Sequence, residues 1–226
     1  MRKTIILTAV LLIFAVLSGC RSQRPSDVKE LTREEQLQKA VERNYRKAEP
    51  HYELGVYYMQ SGMLERAESE FNIALNCDPV YKEAQAAMVS VQDKLGNPER
   101  SKLLADTYID QARNNAAESF LLGRAFQRHF YEDYAVKCYH NAERLAPESA
   151  VLNKYLGYYY LRKGDKAKAE SYLTRSFHLD PYQPDVSSEL GKLGVVVEIP
   201  PESQRNIFQR VTDPLADLFK REEIKE

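Results

Sequence analysis

Cys138-Tyr139-His140 sets a thiol and an imidazole two residues apart, a pairing that invites a metal-ligand reading. On a helix, however, residues i and i+2 point about 200 degrees apart and cannot close on one ion. The four histidines do not cluster along the 226-residue sequence. Motifs of the form GxxxxGK(S/T), GxGxxG, HExxH, GxSxG and CxxC are absent, so neither phosphate-cradling loops nor nucleophile elbows nor dithiol sites are indicated. No residue constellation supports a reaction, and neither a cofactor nor a metal is expected.

Covalent chemistry is indicated at the N-terminus instead. Met1-Arg2-Lys3 is a positive start, and residues 4–17 form an uncharged, mostly apolar run. That run is shorter than the roughly 20 residues needed to span a bilayer, so it reads as a secretory signal, residues 1–19. Leu17-Ser18-Gly19-Cys20 follows, with an apolar residue, two small ones and a cysteine. This pattern resembles the lipobox of bacterial lipoproteins. The resemblance implies cleavage before Cys20 and acylation of its thiol and new amino group, palmitate-type chains included. Several chains at about 0.8 kcal/mol per buried CH₂ anchor a protein for good, where one chain does not. Arg21 rather than Asp follows the cysteine, which by the same resemblance implies outer-membrane anchoring facing the periplasm, with the inner membrane or the cell surface as alternatives. Residues 20–31 read as a polar tether.

Charge excludes one class of partner. Loss of residues 1–19 removes Arg2 and Lys3 from 32 basic residues and leaves 30 against 33 acidic ones, so no global field exists for nucleic acid. With 43% apolar and 29% charged residues, the chain is able to bury a core or a short stack of repeats.

The elements are written in a ruler of 34 residues. Leu54-Gly55, Leu122-Gly123 and Leu156-Gly157 stand 68 and then 34 residues apart, and Tyr58, Phe126 and Tyr160 keep those intervals. So do Ala67, Ala135 and Ala169, and so do Pro79, Pro147 and Pro181. Counting from Ala48, Lys82, Ala116 and Ala150, a first helix A carries Leu-Gly at positions 7 and 8 and an aromatic at 11. A second helix B carries Ala at 20, a bulky residue at 24 (Phe71, Tyr139, Leu173) and a small one at 27 (Ala74, Ala142, Ser176). Each set lies on one helical face. Small residues at 8 and 20 allow the two helices to approach closely, and proline near position 32 ends helix B. Residues 82–115 keep the register with Met88-Val89, Gln92, Ser101 and Arg113 at the marker positions. Val89 in place of glycine is expected to open that helix pair.

This pattern resembles the tetratricopeptide repeat (TPR), which implies an all-α, right-handed solenoid that binds other proteins. Four repeats are assigned to 48–81, 82–115, 116–149 and 150–183. Thr32-Arg33-Glu34-Glu35 is a capping box that opens an N-terminal capping helix in 32–47. Leu190-Gly191 opens a partial fifth repeat in 184–194, which Gly194 ends. In 195–226 an extended run leads to C-terminal helices. Their apolar face needs cover from the last repeat, from a partner, or from the chain's own groove. In repeat coordinates Cys77 and Cys138 are separated by three intervening helices, too far for a disulfide, so two free and mostly buried thiols are expected.

In repeats of this type helix A lines the concave face with positions 2, 5, 9, 12 and 13. The resemblance thus implies partner-binding residues Tyr52, Val56 and Met59 in the first repeat and Ser90, Asp93 and Lys94 in the second. It implies Phe120, Arg124, Gln127 and Arg128 in the third, and Lys154, Tyr158, Leu161 and Arg162 in the fourth. One end is apolar and the other basic. Arg124, Arg128, Lys154 and Arg162 beside Phe120 and Tyr158 would suit an acidic peptide or a free C-terminal carboxylate, or would solvate an exposed face. The carboxylate clamp of chaperone-binding members is not supported, because Tyr52, Val56 and Ala87 occupy its positions. In outline the chain is similar to bacterial TPR lipoproteins that assist type IV pilus assembly (pilotin-type) and to other envelope TPR lipoproteins. That implies a periplasmic adaptor holding a partner peptide or, as the alternative, a permanent structural subunit of an outer-membrane assembly or secretion complex.

Overall fold

The computed structural model describes residues 31–201 together with Asp213 and Leu215. Ten α-helices and no strand occur among the described residues: α1 (Arg33–Arg43), α2 (Ala48–Gln60), α3 (Leu64–Cys77), α4 (Lys82–Lys94), α5 (Pro98–Ala112), α6 (Ala116–Arg128), α7 (Glu132–Leu145), α8 (Ala150–Arg162), α9 (Lys166–Leu179) and α10 (Pro184–Lys192). Helices α2, α4, α6, α8 and α10 therefore start at intervals of 34 residues. Each of the first four pairs with the helix after it, and from α4 onward each also packs on the helix before it, giving the all-helical stack expected from the repeats. The leader, Cys20 and nearly all of the tether lie outside the described residues. So do the C-terminal helices, except for Asp213 and Leu215.

Close approach within a pair is a matter of one missing side chain. A Cβ at Gly55 would stand 2.6 Å from Phe71 Cε1, one at Gly123 2.6 Å from Tyr139 Cε1, and one at Gly157 2.6 Å from Leu173 Cδ2. The bulky residue at position 24 thus occupies the space that position 8 leaves. In the second pair this relation is inverted. Val89 stands at position 8, and position 24 is Ala105, so the methyl groups of one helix replace the ring of the other, and both residues are fully buried. Ser101, at position 20, donates its hydroxyl to the Val89 carbonyl at 3.0 Å, which satisfies a buried oxygen at the contact. α4 and α5 do pack less extensively than the other pairs, as the valine leads one to expect.

A second repeating device joins successive repeats. Position 4 of α2, α4, α6 and α8 carries a buried polar residue whose side chain bonds a backbone carbonyl ahead of the helix. His51 Nε2 lies 3.0 Å from Tyr45 O, Gln85 Nε2 donates to Pro79 O at 2.7 Å, Ser119 Oγ to Ala112 O at 2.8 Å, and Asn153 Nδ2 to Pro147 O at 3.1 Å. Carbonyls at the ends of helices and turns lack intrahelical donors, and burial would leave them costly.

Two ends close differently. Thr32 Oγ1 accepts from Glu35 N at 3.2 Å, Glu35 Oε2 accepts from Thr32 N at 2.8 Å, and α1 then lays buried Leu37 on the first repeat, where Tyr58 donates to Glu34 at 3.1 Å. At the other end Val195 and Val197 fold against the cluster of Leu173, Phe177, Val186 and Leu190. Both described cysteines are free, but only Cys138 is buried; Cys77 is exposed at the last residue of α3, where its thiol lies 3.9 Å from the Tyr45 carbonyl oxygen.

Replacing Gly157 by Val is expected to lower stability by about 1–3 kcal/mol through overpacking against Leu173. Adding Leu173→Ala, which reproduces the Val89/Ala105 arrangement, should return part of that loss, with a coupling of at least about 0.5 kcal/mol in a double-mutant cycle by urea unfolding.

Candidate protein-binding face

The helix A residues expected to meet a partner fall into three groups. On α2, Tyr52, Val56 and Met59 are spaced i, i+4, i+7 on one face and are half-buried against the first core cluster. Tyr52 rests in a T-shaped contact with Tyr81, with ring centres 5.4 Å apart. Burial, and then the nearby Glu83 carboxylate, raise its pKa, so the hydroxyl stays neutral.

Ser90 and Phe120 are corrected to core residues. Ser90 is 4% exposed, since Tyr131 reaches back from the third repeat, bonds it, and donates to Asp93 at 2.9 Å. Phe120 is fully buried between Tyr139, with centres 5.7 Å apart, and Tyr155, 5.2 Å away in a T-shaped contact. Position 5 therefore faces inward here, because the next repeat places an aromatic over it. Asp93 and Lys94 are exposed at the end of α4. Leu161 packs half-buried on the last cluster.

The basic end meets acids of its own chain. Arg128 pairs with Glu83 at 3.2 Å, Lys154 with Asp185 at 3.2 Å and Arg162 with Glu132 at 2.9 Å. Arg124 lies over the Tyr155 ring, 5.8 Å from its centre. The Gln127 amide oxygen accepts from Arg162 at 2.6 Å when the amide is turned to face the guanidinium, and its nitrogen then donates to the Tyr139 hydroxyl at 2.7 Å. That orientation is the one that leaves no donor facing donors. Tyr158 donates to Asp185 at 3.2 Å, and burial together with that carboxylate raises its pKa. Burial alone would raise the Asp185 pKa, but the Lys154 ammonium and the two side-chain bonds outweigh it, and the carboxyl is held below its ordinary value. The four cations thus bridge neighbouring elements in place of forming one receptor for a carboxylate.

A contact missed by motif reading lies at the start of α8. Asp213 Oδ2 accepts from Ser149 Oγ at 3.0 Å and from Val151 N at 3.1 Å, and Leu215 is 1% exposed in the main core. Only the apolar spacing of the C-terminal segment hinted at it.

The arrangement is that of a solenoid of stacked helix pairs, a class built for protein contacts. Residues 133–184 match the tetratricopeptide repeat family. Among curated proteins, the type IV pilus assembly protein PilF of Pseudomonas aeruginosa is 29% identical over 148 residues, covering 63% of this chain and 58% of PilF. The chain therefore spans less than two thirds of that relative's length. Among solved structures, Pseudomonas aeruginosa PilF is 25% identical with a TM-score of 0.42, covering 67% of this chain and 69% of that one. MamA from Desulfovibrio magneticus RS-1 is 22% identical with a TM-score of 0.39, covering 66% and 84%.

His129, at the end of α6, is kept neutral: burial, then Arg128 and Lys94, lower its pKa to about 4. Unfolding frees it to bind a proton below its ordinary 6.5, so stability should fall as pH drops from about 6.5 toward 4. Urea midpoints at pH 7 and pH 5 should show this loss in the wild type, and His129→Gln should reduce it.

Proposed function

We propose that the chain is a non-enzymatic adaptor of the bacterial envelope that grips a segment of a partner protein during type IV pilus or secretion assembly. Acyl chains on Cys20 hold it at the outer membrane, with the repeats in the periplasm. The observation that carries the reading is the apolar step of Tyr52, Val56 and Met59, half-exposed on α2 while Arg128, Lys154 and Arg162 further along pair with acids of the same chain. A partner segment that buries this step must offer apolar side chains at matching intervals, as an amphipathic helix or an extended strand end does. The similarity to a type IV pilus assembly protein supports the pathway, and the Leu17-Ser18-Gly19-Cys20 pattern supports the anchor.

A photo-crosslinking residue at position 56, used in native membranes, should capture an envelope protein of the pilus or secretion machinery. Val56→Asp with Met59→Asp should remove that product by tenfold or more while leaving helicity unchanged. Undiminished capture, or a product from another cell compartment, would overturn the reading. Cys20→Ser should move the protein from the membrane to the soluble fraction.

A further inference from the structure

The contact between Asp213, Leu215 and α8 has the form of a ligand in a receptor. Helix α8 begins with backbone N–H groups that have no intrahelical acceptor, and such an end favours a carboxylate. Ser149 is the N-cap; its hydroxyl is fully buried, accepts from Leu152 N at 3.1 Å and donates to Asp213 Oδ2 at 3.0 Å. Val151 N gives the same oxygen a second bond at 3.1 Å, while Leu215 N binds Asp213 Oδ1 at 2.9 Å and closes a tight turn. That turn delivers Leu215, 1% exposed, into the cluster that holds Phe120, Leu152 and Leu156.

Sealing the end of the stack does not account for this placement. The end of the stack is α10, and its buried Val186 and Leu190 are already covered by Leu193, Val195 and Val197. Asp213 and Leu215 return instead to an internal helix, flanked by α7 and α9, and contact residues 62 to 64 positions earlier in the chain. Their anchor has two points, an acid that is read by a serine hydroxyl and a backbone N–H, and a leucine read by an apolar recess. Neither point depends on the rest of the chain being its source.

We propose that the start of α8 is a binding site for peptides bearing an acidic residue followed two positions later by leucine, and that Asp213 and Leu215 occupy it in cis. A partner segment of that chemistry binds by displacing them. Tethering gives the internal segment an effective concentration near the millimolar range, so the site is masked until a partner outcompetes it. This site is separate from the apolar step on α2 and stands or falls independently of it.

The test uses the full chain and a fluorescent peptide of residues 207–219. Asp213→Ala with Leu215→Ala in the chain should empty the site, and this variant should bind the peptide at least about tenfold more tightly than the wild type in a polarisation titration. The same peptide with both positions changed to Ala should not bind. If the doubly substituted chain is destabilised, the unmodified peptide should raise its Tm toward the wild-type value, and adding Ser149→Ala should weaken that rescue. Equal peptide binding by wild type and variant, binding of the altered peptide, or failure of the peptide to bind or rescue the variant would show the segment to be a structural strap only and would overturn the proposal.

Discussion

Every level of this structure depends on two helices in each pair touching at one point, where only a fixed total of side-chain volume fits. Gly55 against Phe71, Gly123 against Tyr139 and Gly157 against Leu173 are three ways of dividing that volume, and Val89 against Ala105 is a fourth with the large member on the other helix. Interiors are packed too densely to tolerate both large or both small. Because the total is held, successive pairs keep their spacing, and helix A of each repeat arrives where the preceding helix B can receive it.

The same economy governs polar groups. A stack of short helices has many ends, and each end buries carbonyls that need donors. Position 4 supplies one per repeat, by whichever polar side chain fits: imidazole at His51, amides at Gln85 and Asn153, hydroxyl at Ser119. The charged residues follow a related rule. Arg128 to Glu83, Lys154 to Asp185 and Arg162 to Glu132 each join different helices, and partly exposed pairs of this kind add about 0–1 kcal/mol each while setting register and cancelling the field along the face. Lys82 with Glu118 at 3.2 Å is the more committed case, since its side chain is 6% exposed.

How much of this was legible followed from the range of each interaction. Helix pairs, their capping box and their proline stops are local, and the 34-residue recurrence of Leu54, Leu122 and Leu156 was enough to read them. In the degenerate repeat only Val89, as the residue that opens the pair, was legible; the compensating Ala105 at position 24 emerged from the packing. The partners of the cations were not: each acid lies about 30 or more residues away, and pairing them requires the offset between adjacent repeats. Ser90 and Phe120 carried the positions of groove residues, and it took Tyr131 and Tyr155 from the following repeats to show that both are covered. Asp213 and Leu215 were least legible, because nothing local to the tail points to Ser149.

The burial of Ser90 and of neighbouring Ala86 also changes what the inner face is able to do. A single peptide laid along all the A helices would have to cross α4 where Ser90 and Ala86 are covered, and would then meet Arg128, Lys154 and Arg162 already paired with acids of the chain. The two proposed places of contact are therefore separate, the apolar step lying on α2 and the other at the start of α8. Tyr131 of the following repeat reaches back over α4, bonds Ser90 and donates to Asp93 at 2.9 Å. In the degenerate repeat an aromatic from the next repeat thereby covers Ser90, a position that the repeat pattern assigns to the partner-facing side.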